Sequence, residues 1–130
     1  LRAAAEDRPA QTMAALAARR RRRQGYSVSQ KTLDAMKDLQ LDALVRSIPN
    51  LTLQTSPPSV TLKVPNAPAC FPSVWLDGRR SDISVIQNIR TRDVLSVELM
   101  RGRNEIPVEY QGFSNCGALL IWLKGASAGN

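Results

Sequence analysis

A chain of 130 residues with 43% apolar side chains is enough for one domain with a modest core. It has no histidine and a formal charge of +7, so catalysis by histidine is excluded and anionic partners come into view. Its longest unbroken apolar run, Ala118 to Leu123, falls far short of the roughly 20 residues a membrane-spanning helix needs, so the domain reads as soluble or peripheral. The chain starts at Leu1 without a signal-peptide pattern, and a processed or longer N-terminus is expected.

The charge is unevenly placed. Residues 1–24 carry seven basic side chains against Glu6 and Asp7, a net of +5, which leaves only +2 for everything after them. Leu1 to Arg23 is rich in Ala and Arg, good helix formers, with Met13 and Leu16 as one small apolar stripe. Such a segment forms an exposed helix that needs a partner surface, or frays without one. Arg19, Arg20, Arg21, Arg22 and Arg23 would attract phosphate with an affinity that falls as salt rises. Nucleic acid is the weaker candidate partner, because the chain has only two Tyr and two Phe, shows no DNA- or RNA-binding motif, and places Tyr26 alone near the arm. A membrane surface, an acidic protein, or plain solvation of a connector remain. Gly25 breaks the pattern.

Beyond it, Ser27 or Ser29 is placed to cap a helix whose first apolar contacts are Leu33 and Met36. Leu41, Leu44, Val45 and Ile48 fall at i, i+3, i+4 and i+7, one helical face that Pro49 ends. Leu51 to Thr55 and Val60 to Val64 alternate around Ser-Pro-Pro-Ser and predict a hairpin with one wet face. Pro65 to Pro72 is a loop containing Cys70. Ser73 to Leu76 reads as a buried strand closed by the turn Asp77-Gly78, with Arg79-Arg80 as a solvated turn after it. Ser81 is the expected cap of a helix over Asp82 to Asn88, with Ile83 and Ile86 facing the sheet.

From Val94, apolar Leu95, Val97 and Leu99 alternate with Ser96 and Glu98, predicting a strand with one face buried and the other wet. Arg101-Gly102 ends it, Asn104 starts a brief turn with Pro107 at its third position, and the Gly112 to Gly117 loop leads to Ala118 to Leu123. That run is apolar on both parities, as in a strand buried on both faces. Trp75 and Trp122 lie on the two most buried strands and are read as core.

Asp77, Glu98, Glu105 and Glu109 invite a search for an acid/base pair, but no nucleophile or oxyanion site accompanies them. Asp77 is assigned to its turn, and Glu105 and Glu109, four apart, to surface charges facing Arg101 or Arg103. The chain is read as a non-enzyme without cofactor. Cys70 and Cys116 each precede a predicted buried strand; if those strands are neighbours the sulfurs are within disulfide reach, and two buried thiols are the alternative. Two cysteines without histidine do not make a metal site.

In order and spacing, VWLDG at Val74 to Gly78, VELMRG at Val97 to Gly102, EIPVEY at Glu105 to Tyr110 and CGALLIWLK at Cys116 to Lys124 resemble the plug domain of TonB-dependent outer-membrane receptors. They are nearest to a plug-like subgroup that often follows a carboxypeptidase-regulatory-like domain. Gly25-Tyr26 through LDALVRSIPNL, which ends at Leu51, resembles that subgroup's entry helices and pore-leading segment, so the resemblance spans Gly25 to Lys124. It implies a Cys70 to Cys116 disulfide in a periplasmic setting, and makes Trp75, Asp77, Gly78, Arg101, Gly102, Pro107, Tyr110 and Trp122 the turn and core positions. The chain departs from complete receptors in three ways: no barrel strands follow Lys124, no TonB box is identifiable in Leu1 to Gly25, and Gln111 to Asn115 lacks the usual double glycine.

The expected architecture is therefore α+β: a small mixed β-sheet with short helices packed on one face (25–124), a basic arm, extended or helical, ahead of it (1–24), and a flexible tail behind (125–130). The expected function is a non-catalytic, plug-like docking module, an accessory structural subunit on the periplasmic side of a larger membrane protein assembly. A photosynthetic reaction-centre or antenna complex is one conceivable host, and anionic lipid a possible contact of the arm. The alternatives are a receptor plug in the outer membrane that gates uptake inside a barrel, and nucleic-acid binding through the arm.

Overall fold

The computed structural model describes residues 14–15, 17–19, 21–22, 25–49, 51–56, 59–64, 70–102, 104–114 and 116–124. The expectations for Met13 and Leu16, for Arg20, Arg23 and Arg103, for Pro57-Pro58 in the hairpin turn, for most of the loop before Cys70 and for the tail lie outside those residues.

The fold is α+β. Among the described residues, one mixed sheet contains β1 (Tyr26–Ser27), β4 (Ser73–Leu76), β5 (Arg79–Ser81), β6 (Val94–Met100) and β7 (Ala118–Leu123), in the order β1-β6-β7-β4-β5. A separate hairpin pairs β2 (Thr52–Ser56) with β3 (Ser59–Lys63). The sheet is mixed because β7 runs parallel to β4, from Ser73↔Ala118 to Leu76↔Ile121, and antiparallel to β6 on its other side. The two strands read from the sequence as buried are thus neighbours in the sheet. Ala118, Leu119, Leu120 and Ile121 are fully buried, and each large side chain among them contributes about 1.5–3 kcal/mol by leaving water.

Alternation along the strands divides the core in two. On one face Val74, Val97, Leu99, Leu119 and Ile121 meet Leu33 of α1 (Gln30–Ala35), Leu41, Leu44 and Val45 of α2 (Leu41–Arg46), and Ile86 of a 3-10 helix (Ile83–Asn88). Leu62 of the hairpin closes the same layer. On the opposite face Trp75, Met100, Ala118 and Leu120 pack with Ile106 and Tyr110, and Trp122 lies against them.

Local chemistry sets the ends of these elements. Ser29 caps α1, its hydroxyl accepting from Thr32 N–H at 3.2 Å. Asp82, rather than Ser81, caps the following helix by accepting from Ser84 N–H at 3.0 Å, and bonds from the Ser84 side chain and backbone hold its carboxyl below the usual range. That helix is 3-10 rather than α. A second 3-10 turn, Thr91–Asp93, leads into β6.

Arg79 and Arg80 form β5 instead of a turn. Asp77 and Gly78 alone reverse the chain, with φ of 53° and 85°, the doubly positive geometry whose twist suits a two-residue hairpin. The Asp77 carboxylate then reaches across to accept from Leu123 N–H at 2.9 Å, tying the turn to the end of β7. β1 was not expected at all: Tyr26 and Ser27 pair with Leu99 and Glu98. Gly25, φ 77°, allows the chain to arrive there, because a Cβ would stand 2.7 Å from Met100 Sδ and 2.9 Å from Leu99 O.

Candidate functional site

β6 was expected to wet one face, and it does not. Val97 and Leu99 are buried as read, but Ser96 and Glu98 are 1% and 0% exposed. Ile106 and Tyr110 pack on this face, and the arm adds to their cover at Glu98. Residues 14–15, 17–19 and 21 are helical, and Arg19 descends from that helix to Glu98, Nε donating to Oε2 at 2.7 Å and Nη2 to Oε1 at 2.8 Å. The fork of the guanidinium meets both carboxylate oxygens, the strongest ion-pair geometry available to these side chains. Arg19 itself is 6% exposed. The hydrogen bond to Glu98 raises its pKa further above an already high value, against the opposing effect of burial.

Arg19 is therefore a clasp and not part of an open basic surface, which corrects its assignment to an anionic contact. A lone carboxylate under the arm would suffer desolvation of several kcal/mol, so Glu98 requires the arginine above it. Arg21 and Arg22 remain exposed on the same segment, and Arg22 N–H donates to Ala18 O at 3.2 Å. The hint in the sequence was Met100, which shares a parity with Ser96 and Glu98 and showed that this face was not uniformly wet.

Next to the clasp, Ser96 and Trp122 are register partners on β6 and β7. The Ser96 hydroxyl and the Trp122 indole N–H are both buried without a hydrogen-bond partner among the described residues. Tyr110 borders this region from a 3-10 turn, Val108–Tyr110, that starts directly after Pro107. Burial pushes the Tyr110 phenol upward. Arg101 and Glu105 meet as expected: Glu105 accepts from the Arg101 backbone at 2.6 Å and from its Nη2 at 2.8 Å. Burial works against ionised Glu105, yet the bonds from Arg101 hold its carboxyl below the usual range. Gly102 O accepts from Glu105 N–H at 3.0 Å and so shapes the turn leaving β6. Asp77, Glu98 and Glu105 each hold the fold together at a named bond, which is their visible role.

The other candidate region is the end of the sheet where the parallel strands begin. A disulfide joins Cys70 to Cys116, with Cα atoms 6.2 Å apart, just ahead of β4 and β7. Ser114 lies against it, its Oγ 3.2 Å from Cys116 Sγ and 3.6 Å from Cys70 Sγ. Trp75, its indole N–H bonded to Ser73 Oγ at 2.9 Å, stacks edge-on with Tyr110 at 4.9 Å and with Phe113 at 5.2 Å. The guanidinium of Arg80 sits 4.5 Å above the Phe113 ring.

This end of the molecule exposes unusually large apolar side chains: Phe71 at 54%, Phe113 at 55% and Val108 at 81%. Phe71 and Arg80 also line a half-open cleft of about 280 Å³ together with Thr61, Val74 and Asp82. Among the described residues no carboxylate forms an ion pair with Arg79 or Arg80. Trp75 is core, as expected, and Trp122 is partly buried over the Asp77-Gly78 turn, its ring 3.7 Å from where a Gly78 Cβ would lie.

Among the described residues no three His, Cys, Asp or Glu side chains converge as a metal site would require, and no helix is long and apolar enough to cross a membrane. The disulfide is compatible with an oxidising compartment. Neither a protein-family model nor a curated protein matches the sequence.

Proposed function

We propose that the chain is a non-catalytic, plug-like docking module: an accessory structural subunit held on the periplasmic side of a larger membrane protein assembly. The observation that carries this reading is the exposed set Phe71, Val108 and Phe113, of which Phe113 packs on Trp75 beneath the Arg80 guanidinium and Phe71 shares a cleft with Arg80. Large apolar side chains grouped at one end and rimmed by positive charge are the composition of a protein contact. The partner that suits them is an apolar wall with an acidic rim.

Two features support the rest of the reading. The disulfide favours an oxidising compartment such as the periplasm. Arg19 ties its helical segment to the sheet, and Arg21 is exposed on that segment, which supports the reading of the arm as a strap.

Fractionation of native membranes in mild detergent tests this. The wild-type chain is expected to migrate with one membrane complex in fixed stoichiometry, and Phe71→Ser with Val108→Ser to migrate as free monomer while keeping the wild-type melting temperature. A wild-type chain recovered only as monomer refutes the proposal.

A further inference from the structure

We propose that the Cys70–Cys116 bond is a directional site of thiol–disulfide exchange, at which a small-molecule thiolate bonds to Cys70 and Cys116 departs as the thiolate. The argument starts from the proton of Ser114. Its Oγ accepts from the Cys116 backbone N–H at 3.3 Å, which uses a lone pair and leaves the O–H to donate. The two sulfurs within reach carry no proton when joined, so the single hydroxyl proton is the one to be donated, and Cys116 at 3.2 Å is nearer to it than Cys70 at 3.6 Å.

The shorter contact decides the direction. A donor aimed at sulfur stabilises the thiolate form and lowers its pKa, and the sulfur with the lower pKa leaves faster in exchange. In the reaction the incoming thiolate forms a bond to Cys70 Sγ, the Cys70–Cys116 bond breaks, and its electron pair goes to Cys116 Sγ under the Ser114 hydroxyl. Negative charge passes from the incoming sulfur to Cys116, with no net oxidation. Both cysteines are only half-buried, and Arg80, over the neighbouring Phe113, adds positive potential that favours an anionic thiol such as glutathione.

The test uses the intact chain with reduced glutathione, quenched early with iodoacetamide and mapped by peptide mass spectrometry. Glutathione is expected on Cys70 and the alkyl group on Cys116, with at least a tenfold preference. Ser114→Ala should bring the two adducts toward parity and slow exchange several-fold, and Ser114→Thr, which keeps the hydroxyl, should restore the preference. In single variants, the Cys116 thiol left by Cys70→Ser should titrate below the Cys70 thiol left by Cys116→Ser. Adducts mainly on Cys116, equal partition in the wild type, an unchanged partition in Ser114→Ala, or no adduct from the folded chain would each overturn the proposal.

Discussion

Arg19 and Glu98, 79 positions apart in sequence, share two hydrogen bonds beneath the arm and are both sealed from water. The pair makes the arm part of the folded domain, since neither charge is tolerable there without the other. Arg19→Ala is expected to cost about 3–5 kcal/mol, because Glu98 stays buried and unpaired. Arg19→Met combined with Glu98→Met should recover most of that loss, as apolar replacements of buried ion pairs are often neutral or stabilising. Urea unfolding of Arg19→Met, Glu98→Met and the double variant measures the coupling, and a double-variant loss equal to the sum of the two single losses would show that the charges do not act together.

The disulfide closes a loop with a sequence separation of 46. Replacing both Cys70 and Cys116 by Ala should lower stability by about 4 kcal/mol on the chain-entropy account. The denaturant midpoint of the double variant, compared with that of the oxidised wild type, gives the value.

Asp77 combines a positive φ with a side-chain bond to Leu123 N–H. Asp77→Ala loses both the tolerance for that backbone conformation and the acceptor, for an expected cost of about 1–3 kcal/mol. Asp77→Asn keeps an oxygen acceptor and suits the left-handed conformation, so it should cost clearly less. Thermal melting of the two variants distinguishes the contributions.

Glu105 has a folded pKa below its unfolded value of about 4.3. The folded state therefore binds its proton less readily, and the stability that Glu105 contributes is present above that pH and lost as pH falls through the folded pKa. Tyr110 acts with the opposite sign. Its folded pKa is raised by burial, so its contribution is complete below about pH 10 and is lost as pH rises beyond. Stability measured against pH should decline at both limits. Glu105→Gln should flatten the acid limb and Tyr110→Phe the alkaline one.

Much of the sheet was legible because its signals were local. Ala118 to Leu123 showed apolar residues on both parities, Leu41 to Ile48 a single helical face, and Asp77-Gly78 a turn that admits positive φ. The cysteines could be brought together once the strands following them were taken as neighbours. The clasp was less accessible. Alternation identifies which side chains share a face of β6, but not whether something covers that face, and its cover comes from Ile106 and Tyr110 and, at Glu98, from the distant arm. Tyr26–Ser27 is too short to show any period. Arg79–Ser81 became a strand because the two-residue turn ahead of it folds the chain back along β4, an outcome that side-chain polarity at an exposed edge does not announce.

The position of β7 has a bearing on biogenesis. The middle strand of the sheet is the last of its strands to be synthesised, and until it is available β4 and β6 have nothing to share between them. Closure must span long stretches of sequence, which slows folding relative to a chain built from local contacts. A nascent chain of this design holds only the separate β1–β6 and β4–β5 pairings until Leu123 has emerged, and its sheet closes in one late step.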